Sequence, residues 1–201
     1  MKGKDLYSLD WFENRAFSSL KKITTGIFDY SDSLLLYVSG LDDEYEKIQH
    51  KDNPYCTLVT APEQEYLQQI AKDVVIRLPK NFEYIDLEPG SEHKEQYLFD
   101  EIQKTKKKCV YRPVDISQKF LDMAVAHAKD RGILTKPVRA SFEELTTVLQ
   151  KSNSPRFISL GLTYSNYKPQ EVLKLLADIA GNVTDMYLLT LKSVKELTTN
   201  N

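Results

Sequence analysis

The residues best suited to chemistry in this chain stand at the ends of short apolar runs. The first run, from Tyr84, leads into Asp86-Leu87-Glu88-Pro89-Gly90-Ser91-Glu92-His93-Lys94. A buried strand that delivers an acid, then a glycine turn, then a helix start can bring backbone N–H groups close to a small ligand. The same pattern also suits a plain strand-to-helix turn that needs Gly90 for its geometry alone. The second run, Tyr111-Arg112-Pro113-Val114-Asp115-Ile116-Ser117, ends on an acid. Asp115 can accept hydrogen bonds from both hydroxyls of a ribose, or it can cap the helix that follows. A third turn, Leu160-Gly161 through Asn166-Tyr167, carries Thr163 and Asn166 either toward the same crevice or as organisers of their own loop.

Other chemistries find little support. Neither G-x-G-x-x-G nor a Walker sequence is present, so a dinucleotide or a nucleoside triphosphate is not expected. His50, His93 and His127 have no ligand spacing, and a metal mechanism is not expected either. Cys56 and Cys109 lie far apart with no cluster near either, which predicts two reduced thiols. The net charge of −2, with basic residues spread along the chain, disfavours nucleic acid as a partner. No signal-type apolar segment opens the chain, and the longest apolar cluster, Leu34 to Val38, is too short to cross a bilayer. These features predict a cytoplasmic protein with no membrane partner.

The elements that must position these residues can be read from periodicity. From residue 82 onward, short β-forming runs alternate with longer stretches of helical period. Strands are expected at Phe82 to Glu88, Cys109 to Asp115, Pro137 to Ala140, Phe157 to Gly161 and Met186 to Leu191. Helices are expected from Glu92 to about Lys104, from Gln118 to Arg131 with Gly132 as its stop, from Ser141 through Val148, and from Pro169 to Gly181. Ser141 with Glu144 has capping-box spacing, as do Thr60 and Glu63 ahead of a further helix. Five strands joined by four helices make an α/β domain: a doubly wound, mostly parallel sheet. Residues 1–80 show helical patches without a convincing strand pair, a helical cap or substrate lobe set against a core of 81–201.

Taken together, the Asp86-to-Ser91 turn with Lys94, the Arg112-Pro113-Val114-Asp115-Ile116-Ser117 strand end, Ser141-Phe142-Glu143 and the turn from Gly161 to Asn166 resemble the histidine-specific S-adenosylmethionine methyltransferases. The best-known members of that family trimethylate histidine in ergothioneine synthesis. The resemblance runs from roughly residue 28 to 191. It implies a Rossmann-like fold, S-adenosylmethionine as cofactor and a small, histidine-like acceptor. Asp86, Gly90, Ser91, Lys94 and Gly161 would border the cofactor, with Asp86 and Gly90 at its methionine end. Asp115 would hold the ribose, while Ser141 and Phe142 fall at the adenine contacts. Asn166 and Tyr55 would hold the acceptor, Tyr55 also orienting or deprotonating it.

Three departures accompany the resemblance. Glu88 stands where the family has the first glycine of its cofactor loop, a position of positive φ that costs an L-residue about 1–2 kcal/mol. Ser141 replaces an acid expected at the adenine amino group, so weaker cofactor binding is expected. The family's sheet continues into two further strands, whereas ten residues follow Leu191 here, which suggests a fragment or a domain without that half of its site. A free sheet edge there would favour a homodimer. The rival expectation is a degenerate, non-catalytic module that keeps the fold for interaction.

Overall fold

A computed structural model describes residues 7–29, 32, 34, 41–149, 152–161, 167–180 and 186–190. Its centre is a parallel sheet whose middle strand, β3 (Asn81–Leu87), is buried at every position after Asn81. Burial on both faces explains why β3 reads as rich in apolar β-formers, interrupted only by Glu83 and Asp86, and not as an alternation. On one side β3 pairs with β4 (Lys108–Asp115), in register from Asn81 opposite Lys108 to Leu87 opposite Val114. On the other it pairs with β7 (Arg156–Leu160), which in turn pairs with β8 (Met186–Thr190). Two short strands, β5 (Leu134–Thr135) and β6 (Val138–Arg139), complete the sheet beside β4. The order is β5-β4-β3-β7-β8, with β6 also on β4.

Helices cover both faces, as expected of a doubly wound sheet. Helices α3 (Ala61–Arg77), α4 (Gln96–Lys104) and α5 (Gln118–Asp130) enclose one core, in which Leu67, Val75, Leu98 and Ala124 meet Tyr84, Tyr111 and Phe157 of the strands. On the opposite face α6 (Leu145–Val148) and α7 (Pro169–Ala180) pack Leu145, Leu176 and Ile179 against Ile85, Leu87 and Ile158. Ahead of α3 lie α1 (Leu9–Ser19), an antiparallel pair β1 (Lys21–Thr24) and β2 (Ile27–Asp29), and α2 (Leu41–Ile48).

Several expectations change at the element ends. The β1–β2 pair corrects the expectation of no strand pair in residues 1–80; its residues are almost all exposed, so it carries no burial pattern to read. The expected strand at Pro137 to Ala140 shrinks to β6, with β5 before it. Helix α4 begins at Gln96 instead of Glu92, because His93 has a φ of 51° and residues 92–95 remain in the turn. No side chain caps α3: the chain is already helical at Thr60 after a π-helical turn, Cys56–Thr60, and the Thr60 hydroxyl bonds Gln49 instead. The Ser141–Glu144 capping box is present in full, on a 3-10 turn over Phe142–Glu144. Gly132, at φ 66°, follows α5 as its stop, and Cys56 and Cys109 are free. The described residues contain no helix long and apolar enough to cross a membrane.

Candidate cofactor site

The chain continues from β3 to β4 on one side of the sheet and returns to β7 on the other, so a crevice opens at the carboxyl ends of these three strands. The turn after β3 is built on left-handed residues: Glu88 at φ 54°, Gly90 at 68° and His93 at 51°. Glu88 occupies the strained conformation that its alignment with a glycine implied, and its N–H donates to Val114 O at 2.8 Å. Gly90 is needed for space as well as for φ. A Cβ there would lie 2.1 Å from Glu92 Oε2. Ser91 is half-buried in the same turn.

The Glu92 carboxylate thus fills the hollow over Gly90. Tyr45 and Gln49 donate to its Oε1, while Oε2 is buried without a hydrogen-bond partner. Its backbone oxygen accepts from Gln64 at 2.8 Å. Lys94 reaches back toward Glu63, with Nζ 3.5 Å from an Oε1 that is itself buried and without a hydrogen bond. Gly161 makes room for this ammonium, since a Cβ there would sit 2.9 Å from Lys94 Nζ. Burial pulls the Lys94 pKa down, but Glu92, Glu63, Asp86 and Glu95 outweigh it and raise it above the ordinary lysine range. Burial raises the Glu63 carboxyl despite Lys94.

Asp86 lies in β3, fully enclosed, accepting hydrogen bonds from Tyr111 at 2.8 Å and from Ser159. Burial, then the nearby Glu95, push its pKa to about 6. Asp115 ends β4, 2% exposed, and its Oδ1 accepts from the Ser117 N–H at 2.8 Å. Ser117, not Asp115, caps α5. Burial and the neighbouring Glu88 raise the Asp115 pKa well above the usual carboxylate range. A buried acid at a strand exit, not used as a cap, is suited to accept hydroxyl donors.

Beyond β6, Ser141 donates its hydroxyl to Glu144 Oε2 at 2.9 Å, and Phe142 is buried with its ring stacked on Tyr167 at 4.8 Å. The segment ahead of α1 closes over this corner: Tyr7 donates to Glu144 and accepts from the Ser141 N–H at 3.1 Å. Tyr7 and Phe12 pack on Ile116, next to Asp115. Tyr55 is half-buried; burial, then Glu92 and Glu63, raise its pKa, and it hydrogen-bonds Tyr45. Asn166 and Thr163 lie outside the described residues.

A family model described as histidine-specific methyltransferase, SAM-dependent, matches residues 32–199. The chain belongs to this family. Solved structures similar to this chain include TrmK of M. capricolum in complex with S-adenosylhomocysteine. There the identity is 17% and the TM-score 0.40, over 63% of this chain and 53% of that one. A SAM-dependent methyltransferase from Geobacter sulfurreducens, also in complex with S-adenosyl-L-homocysteine, gives 16% and 0.42 over 67% and 50%. The chain spans about half the length of these two. No curated protein sequence matches it.

S-adenosylmethionine is the cofactor of the family, and the residues present fit it. The crevice holds a surplus of carboxylates, Asp86, Glu63 and Glu92, around the Lys94 ammonium, which suits a ligand with a sulfonium and an α-ammonium. Glu92 Oε2, buried without a hydrogen-bond partner, is an acceptor in need of a donor. Three contributors to this crevice, Tyr45, Glu63 and Glu92, escaped the sequence reading. They come from α2, α3 and the turn, and only Glu63 carried a signal, its expected place in a capping box.

Proposed function

We propose that the protein transfers a methyl group from S-adenosylmethionine to a nitrogen of a small, histidine-like amino acid. The observation that carries this reading is the convergence of the β3, β4 and β7 exits on one acid-rich crevice closed by Tyr45, Tyr55 and Glu63. The cofactor supplies a methyl group already activated by its sulfonium. Asp115 accepts from the ribose hydroxyls, and Asp86, Gly90 and Ser91 border the methionine end. Lys94, held between Glu63 and the space left by Gly161, faces the cofactor's carboxylate. Ser141 and Phe142 flank the adenine, the Ser141 N–H and hydroxyl being engaged by Tyr7 and Glu144.

Such chemistry asks mainly for alignment, the acceptor nitrogen being held about 3–3.5 Å from the methyl carbon. Tyr55 is suited to that task. Its raised pKa keeps the phenol protonated near neutral pH, so it orients the acceptor by hydrogen bonding and does not act as a phenolate base. Asn166 would hold the acceptor's amino-acid portion. Residues 1–80 form the substrate lobe in this reading and 81–201 the cofactor core, with α3 packed into the core. Two copies would pair along the β8 edge, and a monomeric mass in solution would argue against that pairing.

The test uses methyl-labelled S-adenosylmethionine with free histidine and with other amino acids. Label on an imidazole or amino nitrogen, reduced at least tenfold in Tyr55→Phe at unchanged cofactor affinity, is the expected result. Cofactor binding with no label on any acceptor would overturn the enzymatic reading in favour of a binding module.

A further inference from the structure

Beside the cofactor turn, three elements bring together a second set of side chains. His93 comes from the turn itself, Glu95 from the foot of α4 and His127 from the last turn of α5. One ligand atom from each lies within 4.8 Å of the others. The imidazole centroids are 4.4 Å apart. Glu95 Oε1 is 2.7 Å from His127 Nδ1 and 3.9 Å from His93 Nδ1. The spacing in sequence gives no hint of this set, because the fold alone joins residues 93 and 127.

An independent observation points to a ligand. Glu95 is 2% exposed, and its Oε2 is buried without any hydrogen-bond partner. A carboxylate this deeply placed is costly unless cations share it, and each orphaned oxygen adds to the cost. His93 is 37% exposed at its side chain, so the cluster opens to solvent on that side and an ion can enter. Of the nearby cations, Arg131 is engaged with Asp100 at 3.1 Å and Lys94 with Glu63 at 3.5 Å.

We propose that His93, Glu95 and His127 bind a divalent transition-metal ion of the zinc class, through two imidazole nitrogens and one carboxylate, with water completing the coordination. Two nitrogen donors and one oxygen suit zinc, cobalt or nickel, whereas calcium and magnesium favour oxygen ligands throughout. Zinc–nitrogen bonds of about 2.0–2.1 Å need the ligand atoms to draw inward by roughly 1 Å from the metal-free spacing. The hinge for this movement is His93, in a turn and not in a helix. Because His93 lies between Glu92 and Lys94, the ion would tie the cofactor turn to α5. Its role is a clamp on that turn, separate from the methyl transfer.

The experiment is a calorimetric titration of the metal-free full chain with zinc chloride, paired with visible absorption on adding cobalt chloride. The wild type should bind one equivalent of zinc and give a cobalt ligand-field spectrum, and zinc should raise its melting temperature. His93→Ala and His127→Ala should each lose at least about tenfold in zinc affinity, the lower bound seen for disturbed metal sites, together with the cobalt spectrum. His50→Ala, which removes the exposed His50–Asp52 pair, should change neither. Circular dichroism checks that each variant is folded. Should His127→Ala fail to fold, the half-exposed His93→Ala and His93→Gln decide the matter. No zinc binding by the wild type, or equal binding by folded His93 variants, would overturn the proposal.

Discussion

Glu88 holds a left-handed conformation, φ 54°, at the mouth of the crevice. An L-residue there costs about 1–2 kcal/mol, whereas glycine gives back about 0.4–1 kcal/mol through the freer unfolded chain. Glu88→Gly should therefore leave stability unchanged or raise it by up to about 1.5 kcal/mol in urea unfolding, and should tighten S-adenosylmethionine binding, since it removes the carboxylate that crowds Asp115, the group proposed for the ribose. Asp86 shows the converse, a carboxyl that burial holds at a cost, one that the proposed cofactor role would offset. Its folded pKa of about 6 lies above the ordinary 3.8, so its contribution is fully present below pH 4 and is lost as pH rises to 6. The cost above pH 6 is about 3 kcal/mol. The groups facing it are Lys94, Glu95, Tyr111 and Tyr84. Asp86→Asn should raise the stability of the free protein at pH 7 relative to pH 4. It should also weaken S-adenosylmethionine more than S-adenosylhomocysteine, because only the former carries the sulfonium charge. Gly90, Asp86 and Asp115 were legible in the sequence because strand ends expose them as punctuation. Tyr45, Glu92 and the His93–Glu95–His127 set were not, since nothing local joins residues that only tertiary packing brings together.

Among the elements, β3 is pinned by a buried ion network at the end of the sheet away from the crevice. Glu83 accepts from Arg112 of β4 at 2.9 and 3.1 Å and from Arg156 of β7 at 3.2 Å, and Arg156 donates to Ile179 O in α7 at 2.5 Å. Burial works against the Glu83 carboxylate, but the two guanidinium groups hold its pKa below the ordinary value of 4.5. Its stabilisation is thus present above pH 4.5 and fades as acid protonates it, the opposite sign to Asp86. Glu83→Gln leaves the buried Arg156 and the half-buried Arg112 short of a countercharge, and urea unfolding should show a loss of about 3 kcal/mol. An unchanged midpoint would refute this account of how the three strands are aligned. The strands β3, β4 and β7 were readable because short runs rich in apolar β-formers, bounded by polar and turn residues, mark them. The β1–β2 pair was not, because exposed strands such as Lys21–Thr24 lack alternation; α3 starts where expected, but its capping box is absent because Thr60 bonds Gln49 and Glu63 turns to Lys94.

Across the whole molecule, the segment before β3 does more than cap a preformed sheet. Tyr7 reaches the Ser141 corner, Tyr45 reaches Glu92 and Glu63 reaches Lys94, so the crevice is assembled from both halves of the chain. The doubly wound order was legible from the alternation of strands and helices, and the crevice follows from that order. The contribution of the N-terminal segments was not legible, since Tyr7, Tyr45 and Glu63 meet their partners only through tertiary packing. The most direct measurement is a calorimetric titration with S-adenosylmethionine and S-adenosylhomocysteine of the wild type and of Asp115→Asn. The account predicts one molecule of either ligand per wild-type chain, and an affinity lower by at least about tenfold in the variant, as weakening the hydrogen bonds from both ribose hydroxyls would produce. Failure of both ligands to bind the wild type at millimolar concentration, or equal affinity in Asp115→Asn, would contradict it.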